Sequence, residues 1–142
     1  MSEVRRVSPL EAKKLCDEQH VYLDVRTEEE FAAGHPTGAA NIPFLFSAVG
    51  GMKPNPDFID VVSATYARGT PIVVGCRSGG RSLKAAALMI SAGFTEVVDQ
   101  RAGYDGARGP FGQVLEPGWV ASGLPTEQVT PGKSYTELKS PR

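Results

Sequence analysis

The sequence predicts an α/β fold, in which a parallel sheet of about four to five strands has helices on both faces. Short apolar, β-branched segments alternate with segments whose apolar residues recur at helical spacing. The clearest strand, residues 71–75, is apolar at consecutive positions, as is typical of a strand buried on both faces of a parallel sheet. Residues that start and stop helices bound the segments between the strands.

Length and charge narrow the class of protein. The chain has 142 residues, which is about one domain, and its 41% hydrophobic and 22% charged residues are ordinary for a soluble globular protein. The net charge of −1 predicts neither a nucleic-acid nor a membrane partner, so any attraction for an anionic substrate must be local. No apolar leader or run of 18 uncharged apolar residues is present, and we expect a cytoplasmic protein.

The cysteines and histidines do not form a metal motif. The two cysteines, Cys16 and Cys76, and the two widely spaced histidines lack zinc-ligand spacing, so we predict no metal and no cofactor. A disulfide between the cysteines is not expected in a reducing compartment. Cys16 lies on a predicted helix, where we expect it to pack.

The first half of the chain predicts two strands and two capped helices. Residues 4–7 form a short strand, and the capping box that begins at Ser8 opens a helix to about residue 19. Residues 21–25 form the next strand. A second capping box begins at Thr27 and opens a short helix, which Gly34 ends before a loop to residue 43.

The second half continues the alternation. A helix starts at Asn55-Pro56, the strand at 71–75 follows, a helix runs from Ser82 to Gly93, and the last strand covers residues 95–99. We expect residues 1–125 to form a single domain with an inserted surface loop at 105–118, which either shapes the rim of a pocket or packs elsewhere. Residues 126–142 contain little apolar material and predict a flexible tail.

The turn after strand 71–75 has the residue types of a reactive cysteine site. It reads Cys76, Arg77, Ser78, Gly79, Gly80, Arg81. Ligands collect at the carboxyl ends of parallel strands, where a tight turn directs free backbone N–H groups at an anion. The paired glycines permit such a turn, and the following helix N-terminus and the two arginines favour a thiolate at Cys76.

Around this turn the sequence resembles the rhodanese family of sulfurtransferases. The resemblance covers about residues 4–125. It is carried by the six-residue loop from Cys76 to Arg81, by LDVR at 23–26, by GH at 34–35, by GAANIP at 38–43, and by Trp119 with GLP at 123–125. It implies a rhodanese-like fold and a thiosulfate sulfurtransferase activity.

The family resemblance also implies roles for particular residues. Cys76 would be the nucleophile that takes sulfane sulfur from a small anionic donor such as thiosulfate, forms a persulfide, and passes the sulfur to cyanide, a thiol or a sulfur-accepting protein. The loop amides of Arg77, Ser78, Gly79, Gly80 and Arg81 would stabilise the persulfide. Arg77 would attract the donor at the rim and Arg81 would brace the loop, while Asp24 and Arg26 would be structural.

Three other functions remain open at this point. A cysteine phosphatase of the same fold has one more loop residue, so the short loop favours sulfur chemistry. An arsenate reductase needs the same anion pocket. A non-catalytic binding module is the third alternative, and the presence of Cys76 argues against it. The nearby His35 would be a structural residue of its loop rather than a partner of the thiolate.

Overall fold

A five-stranded parallel sheet forms the centre of the structure, a computed structural model that describes residues 4–139. In chain order the strands are β1 (Arg5–Val7), β2 (Val21–Asp24), β3 (His35–Pro36), β4 (Ala40–Asn41), β5 (Leu45–Ala48), β6 (Gly51–Pro54), β7 (Ile72–Gly75), β8 (Val97–Gln100), β9 (Ala107–Arg108), β10 (Val114–Glu116) and β11 (Thr126–Glu127). The helices are α1 (Pro9–Asp17), α2 (Glu28–Ala33), α3 (Phe58–Thr65), α4 (Gly80–Ser91) and α5 (Tyr135–Lys139).

The order of the central sheet is β1-β8-β7-β2-β4, and every neighbouring pair is parallel. The carboxyl ends of β7 and β8 therefore lie side by side at one edge, where the chain continues into the cysteine loop and into residues 101–105. The register places Arg6 of β1 directly opposite Asp99 of β8. The predicted parallel α/β fold is confirmed.

Helices cover both faces of the sheet. Along β7, Ile72 and Val74 belong to one buried cluster and Val73 to the other, as expected for a strand whose successive side chains point to opposite faces. The first cluster includes buried residues of α3, α4 and α5, and the second includes Ala12 of α1 and Phe31 of α2. The all-apolar pattern of residues 71–75 thus reflects burial on both faces.

The capping boxes set the starts of α1 and α2 as predicted. The Ser8 hydroxyl accepts from the Glu11 amide at 3.1 Å, and the Glu11 carboxylate accepts from the Ser8 amide at 3.0 Å. Thr27 and Glu30 make the same reciprocal pair at 3.2 and 3.0 Å. Each box satisfies two amides that a helix start leaves without a partner.

The structure differs from the predicted tail for much of its length. Residues 126–127 pair as β11 with β3, and α5 packs on the core with Tyr135 and Leu138 only 3% and 7% exposed. Strand pairing, the hydrogen bond from the Asn41 amide to the Lys133 carbonyl and the burial of Tyr135 and Leu138 thus hold a short, mostly polar segment against the domain. Residues 140–142 of the predicted tail lie outside the described residues.

The segment at 105–118 forms a hairpin of β9 and β10 with an irregular register. Its side chains Phe111, Val114 and Leu115 are exposed, while its base at Asp105 lies against the cysteine loop. The segment therefore shapes the rim of the loop at its base and projects away beyond it. Among the helices described between residues 4 and 139, none is long and apolar enough to cross a membrane.

Candidate active site

Cys76 lies where β7 ends and is only 2% exposed. The backbone N–H of Gly79 donates to Cys76 Sγ at 3.1 Å, so the loop folds back over its own cysteine. Gly79 has φ of +100°, a conformation that a residue with a side chain adopts at a cost. This glycine is the N-cap of α4, which begins at Gly80, two residues earlier than predicted.

Two loop carbonyls are held from outside by the chain that follows β8. The Tyr104 amide donates to the Cys76 carbonyl at 2.7 Å, and the Asp105 amide donates to the Arg77 carbonyl at 2.9 Å. The C=O and N–H of one trans peptide point in opposite directions. The N–H groups of Arg77 and Ser78 therefore point away from residues 104–105.

Several loop amides are available to an anion. Within residues 4–139, the backbone N–H groups of Arg77, Ser78, Gly80 and Arg81 have no hydrogen-bond partner, whereas that of Gly79 is bound to the sulfur. The first amides of a helix carry partial positive charge. The loop thus brings the buried sulfur together with unpaired amides and the start of a 12-residue helix.

Below the sulfur lies a polar group that we call the Asp99 cluster, formed by the buried Ser82 and Asp99 and by Arg6, whose side chain is 39% exposed. Cys76 Sγ is 3.4 Å from Ser82 Oγ, Ser82 Oγ donates to Asp99 Oδ1, and Arg6 Nε donates to Asp99 Oδ2 at 2.7 Å. Burial raises the pKa of Asp99, and the hydrogen bonds from Ser82 and Arg6 oppose that rise. These two donors therefore favour the charged form of the carboxyl group.

Arg81 turns away from the loop. Its Nη1 and Nη2 atoms donate to the two carboxylate oxygens of Glu30 on α2, at 2.7 and 3.1 Å. Burial would raise the pKa of Glu30, but hydrogen bonds from Arg81 and the Thr27 amide, with the charges of Arg81 and Arg26, lower it to about 2. The arginine therefore ties α4 to α2.

Arg77 lies at the rim, with its side chain 63% exposed. Its Nε donates to Asp105 Oδ2 at 2.8 Å.

A cavity of about 290 Å³ adjoins the pair of Arg77 and Asp105; its lining residues are Arg26, Glu30, Ala33, Gly34, Arg77, Tyr104 and Asp105. A larger cavity of about 580 Å³ lies at the opposite, amino ends of β1 and β8, and the cysteine loop contributes nothing to its lining. Of these two cavities only the smaller one is lined by a residue of the cysteine loop, Arg77, and Cys76 itself does not line it.

Asp24 and Arg26 lie beside the loop. The Arg26 guanidinium donates to both Asp24 oxygens and, through Nη2, to the Gly34 carbonyl at 2.6 Å. It also lies 4.3 Å from the centre of the Tyr104 ring, and the Tyr104 amide holds the Cys76 carbonyl. This buried pair thus supports the loop from behind.

The other titratable candidates are engaged elsewhere. His35 is fully buried and stacks on Phe31, with Nδ1 2.7 Å from the Phe31 carbonyl oxygen and Nε2 2.8 Å from Thr130 Oγ1. Burial raises the pKa of Cys16 to about 11, which makes it a poor nucleophile. Across residues 4–139, no three His, Cys, Asp or Glu side chains are grouped as metal ligands.

Sequence reasoning missed the partners of the loop. Arg6, Asp99 and Asp105 were given no role at the loop, and Glu30 was not identified as the partner of Arg81. One signal was available, because a carboxylate such as Asp99 in a buried strand requires a donor. The identity of that donor depends on which strand pairs with β8, and local sequence does not specify it.

Comparison with known proteins agrees with this geometry. A sequence model described as Rhodanese-like domain matches residues 8–108. The chain is 44% identical over 108 residues to thiosulfate sulfurtransferase 16, chloroplastic, from Arabidopsis thaliana, covering 76% of this chain and 80% of that protein. It is 36% identical over 104 residues to the mitochondrial protein HIGH ARSENIC CONTENT 1 of the same plant, covering 73% of this chain and 62% of the relative.

A solved structure shares the fold. The crystal structure of Rv0390 from M. tuberculosis superposes with a TM-score of 0.75 at 28% identity, over 90% of this chain and 100% of that one. The match to the family covers the cysteine loop and four of the five central strands. With a cysteine loop at the carboxyl end of a central parallel strand, the chain belongs to the rhodanese-like domain family.

Proposed function

We propose that the protein is a thiosulfate sulfurtransferase that works through a persulfide on Cys76. The observation that carries the proposal is the 3.1 Å hydrogen bond from the Gly79 amide to Cys76 Sγ, in a loop whose remaining amides are unpaired. Amides that face a developing anion and need no reorganisation are effective in catalysis. The similarity to a relative named thiosulfate sulfurtransferase also supports this function.

In the first step the Cys76 thiolate attacks the outer sulfur of thiosulfate. The new S–S bond forms as the S–S bond of thiosulfate breaks, and sulfite leaves with the bonding pair: Cys76–S⁻ + S–SO₃²⁻ → Cys76–S–S⁻ + SO₃²⁻. The total charge is −3 on both sides. The unpaired amides of Arg77, Ser78, Gly80 and Arg81 would stabilise the terminal sulfur anion.

In the second step an acceptor attacks the terminal sulfur, and the Cys76 thiolate leaves. With cyanide the products are thiocyanate and free enzyme, and with a thiolate the product is a persulfide of the acceptor. A protein thiol would react in the same way. The scheme is therefore a two-step, ping-pong reaction.

The two arginines of the loop have different proposed roles. Arg77, exposed at the rim beside the 290 Å³ cavity, would attract the anionic end of the donor. Arg81 would fix α4 against α2 through Glu30 and contribute its charge only at a distance. Bracing from within the loop, proposed for Arg81 on sequence grounds, has no support in these contacts.

Two alternatives use the same kind of loop. A phosphatase or an arsenate reductase would also need unpaired amides and a thiolate. Four residues separate Cys76 from Arg81, which favours a species smaller than a tetrahedral oxyanion. In sulfur transfer the loop has to enclose only the outer sulfur of the Cys76 persulfide, whereas the other two reactions require room for a tetrahedral group on the cysteine.

Intact mass spectrometry after incubation with thiosulfate tests the proposal directly. We expect a gain of one sulfur that cyanide or a reducing thiol removes. Cys16→Ser should gain the sulfur and Cys76→Ser should not. A folded wild-type protein that gains no sulfur, or a Cys76→Ser variant that retains turnover, would contradict the mechanism. Faster hydrolysis of an aryl phosphate, or faster reduction of arsenate, than transfer from thiosulfate would favour an alternative.

A further inference from the structure

The Asp99 cluster reaches the backbone of the catalytic loop as well as its sulfur. The Gly79 carbonyl accepts from Arg6 Nη2 at 3.3 Å and from the Leu83 amide of α4 at 3.3 Å. The Ser82 hydroxyl lies 3.4 Å from the same oxygen but donates its one proton to Asp99, which is fully buried and also accepts from Arg6. The carboxylate on β8 thus holds the arginine that donates to the loop.

Holding the Gly79 carbonyl also orients the next amide. Because C=O and N–H of a trans peptide point in opposite directions, the Gly80 N–H is directed away from Arg6 and Ser82. The same relationship holds where Tyr104 and Asp105 hold the carbonyls of Cys76 and Arg77. Three loop peptides therefore have carbonyls held by hydrogen-bond donors, and only the one after Gly79 is held by a side chain, that of Arg6, together with the Leu83 amide.

We propose that Arg6 is a positioning residue for sulfur transfer, which orients the Gly79–Gly80 peptide so that its N–H stabilises the Cys76 persulfide. The inference rests on the proposed function. Arg6 comes from the edge strand β1 and touches neither the sulfur nor the cavity lining. It acts on the reaction only through the backbone that it holds.

The geometry requires an arginine at this position. A guanidinium presents separate N–H groups in a planar fork, so Nε binds Asp99 while Nη2 binds the Gly79 carbonyl. An ammonium group is a single point charge and binds one of these oxygens well at the expense of the other. Arg6→Lys should therefore preserve the ion pair better than the orientation of the peptide.

The test measures how strongly the loop stabilises the terminal sulfur anion of the Cys76 persulfide. Each protein is equilibrated with fixed ratios of thiosulfate to sulfite, and intact mass gives the ratio of persulfide to free Cys76. Arg6→Gln removes one hydrogen bond that supports the loop and should lower the ratio of persulfide to free Cys76 about fivefold. Steady-state kinetics should show a similar fall in kcat with little change in the thiosulfate KM.

The preceding residue supplies a matched control. Arg5 lies on the same strand and is exposed, and its side chain makes no hydrogen bond within residues 4–139. Successive strand residues point to opposite faces, so Arg5→Gln changes the charge equally without touching the loop. Its persulfide ratio should equal that of the wild type. Asp99→Asn, which weakens the anchor of Arg6, should lower the ratio in the same direction as Arg6→Gln.

The outcomes separate the two proposals. If the wild type gains no sulfur, the proposed function fails. If the wild type forms the persulfide and Arg6→Gln has the same ratio as Arg5→Gln, the role of Arg6 is refuted, even if the melting temperature falls. Equal losses in both variants would indicate a general charge effect and would also refute it. If Arg6→Gln does not fold, the same comparison with Arg6→Lys decides the question.

Discussion

Arg81 and Glu30 form a bidentate ion pair between α4 and α2, with N–O distances of 2.7 and 3.1 Å. Both side chains are mostly buried, at 16% and 27% exposure. Arg81, the last residue of the cysteine loop, therefore links two helices. The stability of the fold in acid should depend on this ion pair.

The lowered pKa of Glu30 predicts a loss of stability in acid. The pKa falls from 4.5 to about 2 on folding, so the stabilising contribution is complete above 4.5 and is lost as the pH falls through 2. Urea unfolding at pH 7 and pH 3 should show that Glu30→Gln costs on the order of 1–3 kcal/mol at pH 7 and less at pH 3. Glu116→Gln is the control, because it removes the bidentate partner of Arg101, an arginine that is 38% exposed. Equal pH dependence in both variants would contradict the prediction.

The exposed pair of Arg77 and Asp105 should regulate donor affinity. Asp105 competes with the donor for the arginine, so Asp105→Asn should lower the thiosulfate KM by a factor of about 1.5 to 5, the range for exposed ion pairs. Arg77→Ala should raise KM much more than it lowers kcat. In the wild type, KM should rise with salt, and this rise should weaken in Arg77→Ala. A KM indifferent to salt and to both substitutions would leave donor recognition to the backbone amides.

Gly103 should be required for the shape of the loop. A Cβ there would come within 2.7 Å of the Cys76 carbonyl oxygen and closer still to that of Arg77, and its φ is +70°. Gly112 has a similar φ of +77° but open space around it. Both Gly→Ala changes should cost about 1–2 kcal/mol of stability for the backbone conformation alone. Only Gly103→Ala should also slow persulfide formation, as measured by mass after a timed exposure to thiosulfate. Equal activity in the two variants would show that the loop tolerates the contact.

The C-terminal helix should contribute to folding stability. Leu138 is 7% exposed in the core, whereas Leu115 on the hairpin is 65% exposed. Leu138→Ala should lower the free energy of unfolding by about 2–4 kcal/mol, and Leu115→Ala by less than about 0.5 kcal/mol. Chemical denaturation of both variants measures the difference. If Leu138→Ala were as stable as the wild type, the C-terminal helix would not contribute to stability and the prediction would be wrong.

Local signals predicted the elements well because they act over a few residues. The capping boxes at Ser8 and Thr27, the apolar strand at 71–75 and the glycines after Cys76 each produce their structure through near neighbours. The partners of the loop come from distant segments and depend on strand order. For that reason the sequence pattern assigned Arg81 to the loop and gave no role to Arg6, which donates to the Gly79 carbonyl.

The tail shows a second limit of sequence reasoning. Residues 126–139 are mostly polar, and average composition predicted disorder. Tyr135 nevertheless places its hydroxyl 3.1 Å from Asn55 Nδ2, and its ring packs in the core. One or two well-placed side chains determine whether such a segment binds the domain, and composition does not show where they will lie.

The pairing of β1 with β8 has a consequence for the order of folding. Arg6 and Asp99 are 93 positions apart, so their ion pair closes most of the chain into one loop. Long-range closure costs more chain entropy than local helix formation, and contacts of this kind slow folding. During synthesis Cys76 and the glycines that follow it emerge before Asp99 does. A newly made chain thus carries its cysteine before the support of the cysteine loop is complete, and the proposed sulfur transfer should begin only after the first strand has joined the sheet.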